Sequence, residues 1–359
     1  AFSYDEPAST SSENALGMDS AETEGVMTTT IDRVGVIGAG AWGTALAQTL
    51  TQSGRDVTLW AREPETVVDI NERRVNRAFL PGVALDARLR ATGDLADCAA
   101  ADAILLVCPA QHVRAVTADL GKLARPGVPL VVCAKGIEQA TGKLMGDVVA
   151  ASAPDLTLAA LSGPSFAADV ARGLPAALTI ACRDERLGKL LAQQLGDRQL
   201  RLYWSDDIVG VELGGALKNV LAIAAGIVDG KGLGASAHAA IVTRGFAEMR
   251  RLGHALGARR ETMMGLSGLG DLVLTCGSPQ SRNMSLGRAL GQGEKLAAVL
   301  GARNSVTEGV FTAAAVVRLA AEHKIDMPIT AAVHAVLEGH QSVDDAIAGL
   351  MSRPFKAED

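Results

Sequence analysis

The chain has 359 residues, 48% of them hydrophobic and 21% charged, which is enough apolar material for a large core and enough length for two domains of roughly 150 residues each. A net charge of −6, with only three Trp, two Tyr and six Phe, argues against a nucleic-acid partner, which would need a basic surface and stacking platforms, and against an anionic membrane surface. The five cysteines (Cys98, Cys108, Cys133, Cys182 and Cys276) form no CxxC, and the six histidines are scattered without an HExxH; the expectation is reduced thiols, a cytoplasmic protein and no metal site.

Residues 1–30 are rich in Ser, Thr, Glu and Asp, and no basic residue occurs before Arg33. Without a positive n-region or an apolar h-region this is not a signal peptide; it is expected to be a disordered extension, with Met27 standing where a natural start would. From Arg33 strands and helices alternate. "RVGVIG" is a short apolar strand, "WGTALAQTLTQSG" has helical spacing, and "DVTLW" is a strand again. "ADAILLVCP" and "PLVVCAKG" are continuous apolar runs of the buried parallel type, followed by "TLAALSGPS", "AALTIAC" and "LRLYWSDD". This alternation predicts a parallel sheet with right-handed crossovers over residues 31–205. Beyond Asp206 the pattern becomes helical over 206–230, 236–256, 282–290, 294–301, 308–323 and 330–338, predicting an all-helical domain over 206–359. No segment reaches the ~18 uninterrupted apolar residues of a membrane-spanning helix.

"GAGAWG" places Gly38, Gly40 and Gly43 in a G-x-G-x-x-G directly after a strand and at the opening of a helix. Such glycines permit the tight turn, close approach to a pyrophosphate and close helix–strand packing, and the helix N-terminus offers free N–H groups. The context predicts a Rossmann-type dinucleotide site. The second strand ends in Trp60 rather than in the acidic residue that would hold ribose hydroxyls, and Arg62 follows, a cation suited to the 2′-phosphate of NADP. Arg62 is otherwise a solvated loop residue, and Glu63 keeps NAD open.

Three stretches carry unusual chemistry. "GALKNVLAIAAG" sets Lys218 and Asn219 in a very apolar helix behind Gly214 and Gly215. Such a lysine either snorkels or, desolvated, serves as the proton donor a ketone reductase needs; Asn219 is then placed to orient it, and the glycines to admit cofactor or substrate. "VVCAKGIE" puts Lys135 just beyond a strand, where α/β sheets bind ligands. "SGLGDLVLTCGSPQSRN" holds a glycine-rich turn with Asp271 and then Ser281-Arg282-Asn283 at a helix start, either an ordinary N-cap or a phosphate site.

Together "GAGAWGTALA", "CAKGIE", "LSGPSFA", "VELGGALKN", "GLGDLVLTC", "SRN" and "TEGV", in this order from about residue 31 to 340, resemble bacterial NAD(P)-dependent glycerol-3-phosphate dehydrogenases. The resemblance implies a 6-phosphogluconate-dehydrogenase-like fold, with a Rossmann domain followed by a helical one. It implies hydride transfer between NADP (NAD possible) and dihydroxyacetone phosphate, giving sn-glycerol 3-phosphate for phospholipid synthesis, in a homodimer. By position, Lys218 matches the catalytic lysine. Lys135, Gly163, Ser165, Asp271, Ser281, Arg282 and Asn283 match substrate positions. Ala41, Trp42, Arg62, Lys135, Ala167, Arg282, Val306 and Glu308 match cofactor positions beside the three glycines. Ala41 departs from the family, where many members have serine, which costs one hydroxyl near the pyrophosphate. Two other readings stay open: a β-hydroxyacid-type or ketopantoate-type reductase on the same plan, and a non-catalytic NADP sensor, which would leave Lys218 and its glycines without purpose.

Overall fold

The computed structural model describes residues 30–302 and 306–354. The expected N-terminal extension lies outside these residues. From Ile31 onward the chain forms one compact unit.

The first part interleaves β1 (Arg33–Ile37), α1 (Ala41–Gln52), β2 (Asp56–Trp60), α2 (Pro64–Arg73), β3 (Arg90–Thr92), α3 (Leu95–Ala99), β4 (Ala103–Leu106), α4 (Val113–Leu123), β5 (Pro129–Val132), α5 (Met145–Ser152), β6 (Thr157–Ser162), α6 (Ala167–Ala171), β7 (Ala176–Ala181), α7 (Glu185–Leu195) and β8 (Leu200–Ser205). The strands make a single sheet in the order β3-β2-β1-β4-β5-β6-β7-β8. Its central strands are apolar throughout because both faces are covered: Leu105 and Val131 join one core layer, while Ile104, Leu106, Leu130 and Val132 join the layer on the other face. The sheet is mixed, not parallel as expected, because β7 runs antiparallel to β6. "TLAALS" and "AALTIA" are buried apolar runs that read alike in either direction, so nothing in them announced the reversal.

Helices follow: α8 (Ile208–Gly230), α9 (Ala235–Ala255), α10 (Arg260–Met264), a π-helical turn (Leu266–Gly270), α11 (Asp271–Cys276), α12 (Arg282–Gly291), α13 (Leu296–Gly301), α14 (Glu308–Glu322), α15 (Pro328–Leu337) and α16 (Val343–Met351). The six expected helical segments are present within a few residues. The π-helical turn was expected as a glycine-rich turn, and α10, α11 and α16 were not expected.

Everything from Gly210 to Val228 on α8 is buried, as suits a helix apolar on all sides. α8 is long and apolar enough to cross a membrane, but here it is the centre of the helical core, with α9, α11, α12 and α14 packed around it. Asp207 caps its start by accepting from Gly210 N at 2.8 Å, and also accepts from Arg259 N at 2.8 Å. Gly214 and Gly215 lie within α8, not at its opening. A buried polar residue on this helix therefore faces protein on every side and needs a partner.

Candidate active site

Strand order reverses between β1 and β4, and the turn into α1 sits at that reversal, the usual position for a nucleotide in such sheets. Gly38 has φ +114°, and a Cβ there would lie 3.0 Å from Cys108 N, just past β4. A Cβ on Gly43 would collide with the Gly38 carbonyl. Gly40, by contrast, faces open space, so its backbone is free to meet a pyrophosphate. Ala41 and Trp42 open α1, and the Trp42 indole Nε1 is buried without a hydrogen-bond partner. An orphaned donor beside an open glycine turn fits a bound dinucleotide.

Two residues beyond β2, the exposed Arg62 guanidinium is paired with Glu63 at 2.7 Å. Trp60 turns away, its Nε1 donating to the Gly93 carbonyl at 3.1 Å. Ala167 is the first residue of α6. Val306 is partly exposed just before Thr307, the N-cap of α14. Glu308 accepts from Ala110 N at 3.1 Å with one carboxylate oxygen, while its other oxygen is buried without a partner. Burial pushes the Glu308 carboxyl upward, opposed by the Ala110 N–H and by the Arg282 guanidinium.

The reacting cluster is built on Asp271, which is wholly buried at the first position of α11. Lys218 Nζ donates to one of its oxygens at 2.5 Å, and Lys135 Nζ to the other at 2.7 Å. Lys218 also donates to Thr275 Oγ1 at 3.0 Å, and Lys135 to the Gly163 carbonyl at 3.0 Å. Ser165 Oγ reaches that same carbonyl at 3.3 Å. Two lysines thus share one carboxylate, leaving a buried net positive charge. Burial pushes the Lys218 ammonium down from its ordinary 10.5 to about 8; Asp271 holds it up and Lys135 pushes it further down. A lysine poised there is suited to exchange a proton near neutral pH.

Lys218 therefore does not snorkel. The glycines before it make room for protein rather than for cofactor or substrate. A Cβ on Gly214 would collide with the Ser267 carbonyl of the π-helical turn, and one on Gly215 would lie 2.7 Å from Ser162 Oγ and 3.2 Å from Lys135 Cγ. They let the Asp271 turn and the Lys135 stem lie against α8. Asn219 makes no hydrogen bond to Lys218; its Nδ2 donates to the Lys135 carbonyl at 3.0 Å. Ser281 caps α12, accepting from Met284 N at 3.2 Å, and the exposed Arg282 is the first residue of that helix. Asn283 has both amide atoms engaged with protein.

Family models for the N-terminal and C-terminal parts of NAD-dependent glycerol-3-phosphate dehydrogenase match residues 33–188 and 207–348. The chain is 58% identical over 332 residues to a glycerol-3-phosphate dehydrogenase [NAD(P)+] of Parvibaculum lavamentivorans, covering 92% of this chain and all of that one. It is 56% identical to the Caulobacter vibrioides protein of the same name, covering 92% of this chain and 99% of the relative. The chain belongs to the NAD-dependent glycerol-3-phosphate dehydrogenase family. The crystal structure of the Coxiella burnetii glycerol-3-phosphate dehydrogenase, 37% identical, superposes with a TM-score of 0.86 over 90% of this chain and all of that one.

Within this dehydrogenase, sequence reasoning missed Thr275, the second partner of Lys218, although it stands one helical turn after Asp271 in "DLVLTC". It also missed Glu212, a buried α8 carboxyl that accepts from Gly146 N at 2.7 Å and is pushed up to about 8 by burial. A glutamate in an apolar helix was the available signal for it.

Proposed function

We propose that this dehydrogenase reduces dihydroxyacetone phosphate to sn-glycerol 3-phosphate with Lys218 as the acid–base residue: dihydroxyacetone phosphate + NAD(P)H + H+ ⇌ sn-glycerol 3-phosphate + NAD(P)+. The observation that carries the reading is the buried Lys218–Asp271–Lys135 cluster at the carboxyl edge of the sheet. When bound, the nicotinamide supplies the hydride. Protonated Lys218 stabilises the negative charge growing on the substrate's central oxygen and then gives up its proton to it. Asp271 holds Lys218 in place and favours its charged form, and Lys135 adds a second positive charge. Arg282, at the start of a ten-residue helix, takes the substrate phosphate, whose binding energy orients the carbonyl. Gly38, Gly40, Ala41, Trp42 and Gly43 hold the pyrophosphate end of the cofactor, and Glu308 lies toward its nicotinamide end. Turnover of dihydroxyacetone phosphate, run in parallel with NADPH and NADH, tests the reading; no turnover with either would end it.

The finer reading has four further parts. NADP is favoured through Arg62, which exchanges Glu63 for the 2′-phosphate. Arg62→Ala should then cost NADPH about 1.5–3 kcal/mol, as for a charge-assisted hydrogen bond, and leave the KM for NADH nearly unchanged; equal effects on both would reject the role. Arg282→Ala should weaken use of dihydroxyacetone phosphate strongly while scarcely changing the poor use of dihydroxyacetone, and a proportional drop with both would assign the phosphate to another cation. The five cysteines, all free and buried, support a reducing compartment and hence the cytoplasm, where the product would feed phospholipid synthesis. The chain divides into two domains, 31–205 and 206–359, and assembles as a homodimer, whose mass sedimentation would test.

A further inference from the structure

The turn that opens α1 has glycine on both sides of Ala39, which gives the Ala39 peptides a wide choice of orientation. Gly40, the N-cap, has no side chain to hold the helix start. The first N–H groups of α1 have no acceptor within the helix, and they are the groups a pyrophosphate meets. What fixes this turn comes from outside it. Asn76 Nδ2 donates to the Ala39 carbonyl at 2.8 Å and to Thr44 Oγ1 at 2.8 Å, which uses both of its hydrogens. Its Oδ1 accepts from Phe79 N at 3.1 Å. A carbonyl can only accept and a backbone N–H can only donate, so the orientation of this amide is forced. One buried side chain thus ties the residue before Gly40 to the first turn of α1. The Ala39–Gly40 peptide is planar and trans, so holding the Ala39 oxygen on Asn76 turns the Gly40 N–H to the opposite side.

Asn76 is itself firmly seated. Leu80 N donates to the Asn76 carbonyl at 2.9 Å, and Leu85 N to the Arg74 carbonyl at 2.8 Å, closing the loop 74–85. Leu80, Val83 and Leu85 are buried in the same apolar layer as Leu46 and Leu50 of α1. One helical turn after Thr44, Gln48 Oε1 accepts from Asp86 N at 2.8 Å. The loop therefore grips α1 at two buried polar side chains, and of the two it is Asn76 that reaches the glycine turn. Asn76 is 1% exposed, so little water is at hand to replace its bonds.

We propose that Asn76, together with Thr44, is a positioning residue for the cofactor: it holds the Gly38–Gly43 turn in the shape that receives the pyrophosphate, so that binding does not have to order the turn. This rests on the assignment of that turn as the pyrophosphate site. Both amide hydrogens of Asn76 are engaged with protein, so it acts through Ala39 and Thr44. The pyrophosphate is common to NADPH and NADH, and the effect on the two must therefore be alike.

The test uses the full-length enzyme, with fluorescence titration of NADPH and of NADH beside steady-state reduction of dihydroxyacetone phosphate. Asn76→Ala should weaken both cofactors about tenfold, the scale of a lost buried hydrogen bond or two, and raise the KM for each alike. It should leave kcat at saturating cofactor within about twofold, because the Lys218 cluster is untouched. Thr44→Val removes the hydroxyl but keeps the bond to Ala39, so it should weaken both cofactors by less, and Thr44→Ser should bind them as wild type does. Gln48→Leu loosens the same loop without reaching the turn; it should lower the melting temperature and leave both affinities unchanged. Should Asn76→Ala fail to fold, the Thr44 pair decides: equal affinities in Thr44→Val and Thr44→Ser would overturn the proposal. An Asn76→Ala enzyme with a lower melting temperature and wild-type affinities would make Asn76 a loop staple and nothing more. A much larger loss for NADPH than for NADH would make it a contact of the 2′-phosphate, and a lower kcat at unchanged affinity would place its action at the reacting end; either overturns the proposal. A wild-type enzyme that binds neither cofactor would remove the assignment of the turn and the proposal with it, whereas a binding wild type matched by Asn76→Ala would remove the proposal alone.

Discussion

Lys218→Met should give a folded protein that reduces dihydroxyacetone phosphate about 10²–10⁴ times more slowly than wild type, the usual loss for a positioned acid–base group. Methionine keeps the length and apolar stem of the side chain but carries neither proton nor charge. The fold should survive because Asp271 is not left alone: Lys135 still donates to it at 2.7 Å, and Thr275 Oγ1 to it at 3.2 Å. Cofactor affinity should stay within a few fold, since the substitution leaves the Gly38–Gly43 turn untouched. Lys218→Ala should be equally inactive and less stable, because it opens a cavity in the middle of the α8 core. The measurements are kcat with dihydroxyacetone phosphate and the melting temperature. A Lys218→Met enzyme that keeps near wild-type kcat would remove the mechanism while leaving the fold and the family untouched.

Lys218 was legible because it is out of place: a charge in the most apolar stretch of the chain must be paired or paid for, and it drew attention without any structure. The GxGxxG turn was legible because its three glycines answer three separate steric demands, and a strand and helix flank it as they should. The carboxylate that pairs Lys218 was seen only as an interesting residue in a glycine-rich turn. Nothing local says that Leu266–Gly270 winds as a π-helical turn and presents Asp271 to two lysines, one 53 and the other 136 residues away in sequence. Gly214 and Gly215 were rightly singled out and assigned the wrong neighbour. A glycine signals that something comes close, but whether that is a ligand or the backbone of Ser267 depends on packing. Asn219 was misassigned for a similar reason. Adjacency in sequence suggested that it orients Lys218, but consecutive helical residues point about 100° apart, and its amide reaches Lys135 instead.

Asp271→Asn should cost reduction about 10²-fold or more at pH 7.5, with a distinctive pH signature. In the wild type Lys218 titrates near 8, pushed down by burial and by Lys135 and held up by Asp271. Reduction needs the ammonium, so kcat/KM for dihydroxyacetone phosphate should be level below about pH 8 and fall above it. Oxidation of glycerol 3-phosphate needs the neutral amine, so its kcat/KM should rise through the same range. Asparagine keeps the shape of Asp271 but removes the main charge that supports the ammonium, while burial and the repulsion from Lys135 remain. The Lys218 pKa must then fall further, and both limbs should move to lower pH. Lowering the pH should therefore recover part of the lost reduction in the variant, though not the part due to the misplaced amine. Glu212 is also pushed up to about 8, with its carboxylate accepting from Gly146 N. Glu212→Gln still accepts from Gly146 and should leave the limb where it is. Asp271→Asn also leaves the buried Lys218 and half-buried Lys135 ammonium groups on one neutral amide, which should lower the melting temperature most at low pH, where Lys218 is charged. An Asp271→Asn enzyme whose activity is lost while its pH limb stays near 8 would show that Asp271 only holds α11 against α8 and does not set the protonation of Lys218.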